Sequence, residues 1–291
     1  MSDALPEGTW LNPDVAERFD VDTVVLDVDG VLVDVRASFR EAVRETVVVV
    51  QGEMGVAVPW RPSHADINAL KRAGGFNDDI DISIALAALG AAGRGGDLAR
   101  VAEQVEARGG GLPALRAVAP ELPRIRGARV LEVFDRLYWG DGVAANPGLI
   151  AREAMLVGPD YPDLLRAAGA RHLACISGRT PRELHAALDK LGWAAGTLSA
   201  VVTGDMVRKP DPACLDLVVQ ACTPGAMLYV GDVRDDWEMV RRHRAERPEA
   251  AAIRGILVGD DVDMLNYRPL GVDATVRSAL DVPAVLRAWR T

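Results

Sequence analysis

Lysine is almost missing from this chain: Lys71, Lys190 and Lys209 are the three lysines among 291 residues. Lysine and arginine together number 33 against 42 aspartates and glutamates, for a net charge of −9. An acidic balance with no basic block makes the chain a poor candidate for a general nucleic-acid binder. Cysteine is also scarce. Cys175, Cys214 and Cys222 are odd in number and lack CxxC spacing, which argues against a disulfide frame or a zinc site. They read as reduced thiols, so a cytoplasmic protein is expected. No apolar run approaches the ~20 residues of a membrane span. Residues 1–10 show no basic stretch leading into an apolar one, so no secretory signal is expected. No GxGxxG or GxxxxGK[ST] occurs, which leaves dinucleotide and P-loop nucleotide binding without motif support. The four histidines, His64, His172, His185 and His243, show no ligand spacing.

What is present is globular. Hydrophobic residues make up 49% and charged residues 26%, enough for a sizeable core in one large or two smaller domains. Short apolar, β-branched runs recur, each ending in small or polar residues. Thr23–Leu26 ends in Asp27-Val28-Asp29-Gly30, and Leu173–Ile176 in Ser177-Gly178-Arg179-Thr180. Ala200–Val202 ends in Thr203-Gly204-Asp205, Met227–Val230 in Gly231-Asp232, and Ala252–Val258 in Gly259-Asp260-Asp261. Helical spacing fills Pro181–Leu191, Pro212–Ala221 and Asp235–Ala245, with Pro181 and Pro212 placed to open helices. This alternation predicts an α/β fold: a parallel sheet with helices on both faces.

Residues 35–146 read differently. Helical spacing covers Ser38–Val50, Ser63–Ala73, Asp78–Leu89, Leu98–Ala107 and Ala128–Tyr138, although Val47–Val50 fits a strand equally well. Glycine-rich breaks lie at Ala91–Gly96 and Gly109–Gly111. A helical insertion at 35–146 is therefore expected to split a core made of 1–34 and 147–291.

The polar groups that follow separate strands are Asp27 with Asp29, Ser177, Lys209, and Asp232 with Asp235 or Asp236. In an open parallel sheet, ligands bind outside the carboxyl ends of the strands, so these groups should converge on one crevice. Carboxylate oxygens suit Mg²⁺, and clustered carboxylates repel one another unless a cation sits among them. A carboxylate held against a phosphoryl group can act as a nucleophile. A second one can protonate the leaving oxygen and later activate water. Ser177 and nearby backbone N–H groups can bond phosphoryl oxygens, and Lys209 can balance the charge.

In order, Asp27-Val28-Asp29-Gly30-Val31-Leu32, Ser177-Gly178-Arg179-Thr180, Arg208-Lys209-Pro210-Asp211-Pro212 and Gly231-Asp232-Val233-Arg234-Asp235-Asp236 resemble the four motifs of the haloacid dehalogenase superfamily. The resemblance implies a Rossmann-like core with a helical cap inserted after the first motif. It implies Asp27 as nucleophile, Asp29 as acid/base, and Ser177 with Lys209 as phosphate binders. Mg²⁺ would be held by Asp27, the Asp29 carbonyl and Asp232, with Asp236 ligating or supporting it. Dehalogenases of the superfamily carry a non-acidic residue where this chain has Asp29, so phosphoryl transfer is the expected chemistry. Its carbon–phosphorus hydrolases use a cap lysine, and Lys71 is the one lysine in the insertion.

Each motif also has a purely structural reading. Asp232 can be a helix-start acid, Ser177 an N-cap, and Arg179 either a substrate contact or a surface residue. Lys71 to Asp79 reads as a glycine C-cap followed by an Asn/Asp N-cap. It also reads as a loop selecting the leaving group, with Lys71, Arg72 and Asn77 as the residues to test. Tyr138-Trp139-Gly140 is expected to pack in a core or hinge. The reading as a whole is a Mg²⁺-dependent phosphatase for a small phosphorylated metabolite, acting through an aspartyl-phosphate. Its substrate-binding set is Ser177, Gly178, Arg179, Lys71 and Asn77. The alternatives are a phosphosugar mutase, a 2-haloacid dehalogenase and a non-catalytic metabolite sensor. Neither nucleic acid nor membrane is an expected partner, and the choice between a monomer and a homodimer stays open.

Overall fold

A computed structural model describes residues 5–15, 17–76, 78–141 and 146–290. The chain forms two compact units. One is Met1–Asp34 with Met155–Thr291, the other Val35–Ala154.

The first unit is built on a seven-stranded sheet. In spatial order the strands are Trp10–Leu11, Ala274–Val276, Ala252–Val258, Ala226–Gly231, Thr23–Leu26, His172–Ile176 and Ala200–Val202. Every pairing is parallel except that of Trp10–Leu11 with Ala274–Val276. The five expected strands are present, and two more lie beyond them at one edge. Trp10–Leu11 and Ala274–Val276 are two and three residues long, too short for a period to show in the sequence.

Thr23–Leu26 lies between His172–Ile176 and Ala226–Gly231, and all four of its residues are fully buried. Covering both sheet faces explains why this strand is apolar without alternation. The helices Tyr161–Ala167, Pro181–Leu191, Ala213–Cys222, Arg234–Glu246, Asp261–Tyr267 and Val282–Arg290 supply the cover. Thr180 caps its helix in a capping box with Glu183, and Pro181 occupies the first turn. Pro212 is the N-cap residue of Ala213–Cys222 rather than its first turn. Register sets what happens next. Leu26 pairs with both Cys175 and Val230, so three neighbouring strands end level and release Asp27, Ser177 and Asp232 at one edge.

The second unit is helical. Phe39–Glu53 packs on Asp79–Ala91 and Gly127–Trp139, and the shorter helices His64–Arg72, Leu98–Glu106 and Gly111–Val118 complete it. Val47–Val50 lies within the first of these helices. Its valines share a helix whose buried stripe (Phe39, Val43, Val47, Val50) recurs at three- and four-residue intervals. Tyr138 is buried and stacks on Phe39 with ring centroids 4.3 Å apart. Its hydroxyl donates to Glu153 at 2.9 Å. Residues 147–154 group with this helical unit, not with the sheet.

The central strand is the stability test. Leu26→Ala is expected to cost about 2–5 kcal/mol through lost burial and a cavity. Val201→Thr, on the outermost strand at 39% exposure, should stay within about 0.5 kcal/mol. Equilibrium denaturant unfolding of the two variants measures both.

Candidate active site

The polar residues released at that edge form one connected network within the first unit. Asp27 follows the central strand, and its backbone N–H donates to the Val230 carbonyl at 2.8 Å. Its side chain is buried; Oδ1 accepts the Val28 N–H at 2.7 Å and Oδ2 lies 2.8 Å from Lys209 Nζ. The same ammonium reaches Asp236 Oδ1 at 2.8 Å. Tyr229, one strand over, donates its hydroxyl to that oxygen at 2.7 Å. The second Asp236 oxygen accepts the N–H groups of Asp232 and Val233 at 3.0 and 3.1 Å. Asp236 therefore closes the first turn of Arg234–Glu246 with one oxygen and anchors Lys209 with the other.

Two glycines let the acids approach. Gly30 has φ +79°, and a Cβ there would strike the Asp232 carboxylate. At Gly231 a Cβ would meet the Asp236 carboxyl carbon. Gly30 of the first motif and Gly231 of the fourth are thus each the contact surface for an acid of the fourth motif. Tyr267 donates to the Asp232 carbonyl at 2.5 Å and fixes that turn from the helix Asp261–Tyr267.

The electrostatics follow from burial. Loss of water pushes the Asp27 carboxyl up to about 7. Lys209 pulls it down, while Asp236 and Asp29 add to the rise. Burial opposes the charge on Lys209 as well, but Asp236 and Asp27 outweigh it and hold the ammonium protonated. One lysine cannot neutralise both partners. Asp232 brings a third carboxylate to the same edge. Carboxylate oxygens of Asp27, Asp232 and Asp236 all lie within 4.8 Å of one another. A hard divalent cation fits this donor set and its charge. Because four hydrogen bonds already occupy Asp236, it suits the supporting role, and Asp27 and Asp232 are the better ligands.

Asp29 sits in a separate pair. Arg179 places Nε and a terminal guanidinium nitrogen on Asp29 Oδ1, each at 2.7 Å. The Arg179 side chain is 0% exposed, that of Asp29 34%. Arg179 is thus neither a surface residue nor open to solvent. Ser177 is buried beside it, its Oγ accepting the Arg179 N–H at 3.2 Å, and Gly178 is exposed with open space at its Cα. Lys71 lies in the helical unit, its ammonium 3.6 Å from Asp79. Asn77 falls outside the described residues.

Tyr229 and Tyr267 join the site without belonging to any of the four motifs. The signal for Tyr229 was a tyrosine in the aliphatic run Met227–Val230, since a buried phenol needs a hydrogen-bond partner. Tyr267 had no signal, because its target is a backbone carbonyl 35 residues away.

This geometry defines a class: an α/β protein with an acid-and-lysine cluster at the carboxyl edge of its sheet. A family model, haloacid dehalogenase-like hydrolase, matches residues 21–244. The chain belongs to that family of hydrolases, and it is an enzyme by that membership. Among solved structures it is similar to phosphatase Tt82 from Thermococcus thioreducens, at 28% identity and TM-score 0.65, over 82% of this chain and 93% of that one. It shares a fold with a phosphonoacetaldehyde hydrolase-like protein from Oleispira antarctica, at 14% identity and TM-score 0.56, over 97% and 96% of the two chains. It also shares one with CbbY from Rhodobacter sphaeroides in complex with phosphate, at 16% identity and TM-score 0.52, over 89% and 95%. A search of the curated proteins returned no match. Among the described residues no helix is long and apolar enough to cross a membrane.

The Asp27 shift makes stability depend on pH. Its pKa in the fold lies above the ordinary 3.8, so folding favours the protonated form. That contribution is full below about pH 4 and is lost as pH rises through about 7. With metal chelated, Asp27→Asn is therefore expected to melt several degrees above wild type at pH 8, the gap closing toward pH 4. Thermal melts across that range check it. A gap that does not change with pH would show that folding leaves the Asp27 carboxyl unshifted.

Proposed function

We propose that this enzyme is a Mg²⁺-dependent phosphatase for a small phosphorylated metabolite, working through phospho-Asp27. One observation carries the reading: Asp27 is buried at the end of the central strand, 2.8 Å from Lys209 and within 4.8 Å of the acids of the fourth motif. The likeness to phosphatase Tt82 supports the reaction class.

In this reading Asp27 attacks phosphorus, and the bond to the ester oxygen breaks. Asp29 gives its proton to the departing alkoxide. It then takes a proton from the water that attacks the acyl-phosphate, which frees phosphate and restores Asp27. Ser177 Oγ and the Gly178 N–H bind phosphoryl oxygens, and the Lys209 ammonium offsets the charge that gathers between nucleophile and phosphoryl group. Asp27, Asp232 and the Asp29 carbonyl would hold Mg²⁺, which supplies Lewis-acid polarisation of a phosphoryl oxygen. Asp236 keeps Lys209 and the Asp232 turn in place. We assign the helical unit Val35–Ala154 as a cap that selects the leaving group, with Lys71 and Asn77 as its candidate contacts. The basis is its insertion directly after the first motif.

The test is phosphate release from a panel of phosphorylated metabolites, with Mg²⁺ and with chelator. Activity should require Mg²⁺, and Asp27→Asn should lower kcat by about three orders of magnitude or more. Wild-type enzyme quenched during turnover should carry one phosphoryl group on Asp27 by mass spectrometry, and Asp27→Asn none. Isomerisation of a phosphosugar without phosphate release would instead identify a mutase. Halide release with chelator present would identify a dehalogenase.

A further inference from the structure

We infer that Arg179 is a positioning residue that commits Asp29 to proton transfer through a single oxygen. The inference rests on the phosphatase reading above and extends it to a residue outside the reacting set. Both Arg179 nitrogens that meet Asp29 converge on Oδ1, each at 2.7 Å. Among the described residues Oδ2 takes no hydrogen bond, and the Asp29 side chain keeps 34% of its surface exposed. One oxygen is therefore clamped and the other is left toward solvent, where a leaving group or water would be met.

The clamp itself is held from three sides. A further guanidinium nitrogen donates to the Glu183 carbonyl at 3.2 Å. The Arg179 backbone N–H donates to Ser177 Oγ at 3.2 Å, and its carbonyl accepts the Gly204 N–H at 3.1 Å. Glu183 is fixed in turn, because its carboxylate accepts the Thr180 N–H and hydroxyl, both at 2.8 Å. Ser177 to Glu183 thus supplies the phosphate-side serine, the clamp and the capping box that rigidifies it. The planar fork matters: Nε and a terminal nitrogen reach one oxygen together, which an ammonium cannot do. A carboxylate displaced by about 1 Å from a transferring proton can cost roughly 10²-fold in rate.

This role makes a prediction that simple fold support does not. A poor leaving group needs the Asp29 proton; nitrophenolate does not. Because kcat/KM reports only steps up to the first irreversible one, it isolates the acid role from later hydrolysis. With Mg²⁺ saturating, Arg179→Lys should lower kcat/KM about 30- to 100-fold for an alkyl phosphomonoester and less than about 3-fold for p-nitrophenyl phosphate. Asp29→Asn should show the same selective loss, and adding Arg179→Lys to it should not widen the ratio further. In metal-free protein, the drops in melting temperature for the two single variants should sum to more than the drop for the double variant, because both remove one contact. Equal loss on both substrates in Arg179→Lys, with Asp29→Asn still selective, overturns the positioning role alone. No loss on either substrate does the same. If Asp29→Asn itself loses both substrates equally, the acid assignment falls and takes this inference with it.

Discussion

A single buried ammonium holds this site together. Lys209 lies 2.8 Å from both Asp27 and Asp236 and is the cation the two buried acids share. Charges leave water at a cost of several kcal/mol each, recovered only when each finds close, well-directed partners. Here the recovery is incomplete. Asp236 gains four hydrogen bonds, but Asp27 shares a cation that is already engaged, and its carboxyl rises to about 7. The site is thus preorganised for a further positive charge, the condition under which bound cation and clustered acids stabilise each other.

The arrangement is tolerated because its polar part is confined to one edge. The strands behind it are mostly apolar, and Val25, Ala174 and Tyr229 belong to one buried cluster with Met239, Val240 and Leu257. That mass of buried side chains fixes the three strand ends that release Asp27, Ser177 and Asp232. The local devices then act on a rigid base: Gly30 lets Asp232 close in, Asp236 ties its own helix start, and Tyr267 fixes the Asp232 carbonyl. The capping box that begins the helix Pro181–Leu191 also orients Arg179. Stability and chemistry share residues here, so separating them takes substrates of differing leaving ability, not loss of activity alone.

The helical unit has a core of its own, with Phe39, Phe134 and Tyr138 stacked near one another. Its Gln51 side chain is buried and satisfied by the Val47 and Trp60 carbonyls and the Trp60 N–H. Structural likeness to other family members below 25% identity extends to fold and stops there, since function resides in the site and not the scaffold. The identity of the substrate therefore depends on a few side chains of this chain alone.

The five longer strands, the helical stretch that follows the first motif and the four-motif order were legible in the amino-acid order, because buried parallel strands are continuous apolar runs ended by functional polar residues. So were Asp27, Asp29, Ser177, Lys209 and Asp232 as a set, since each directly follows a strand or sits in a motif beside one. The two edge strands were not legible, being too short to show a period. The partnerships were hidden as well. Whether Arg179 faced substrate, solvent or Asp29 depended on a contact across 150 residues. The bonds of Asp236 to Lys209, Tyr229 and two backbone N–H groups were equally out of reach. Sequence by itself determined which residues stand at the ends of strands, a local property of pattern. Only the tertiary structure decided which carboxylate oxygen meets which cation, because hydrogen-bond direction and loss of water are set by neighbours distant along the chain.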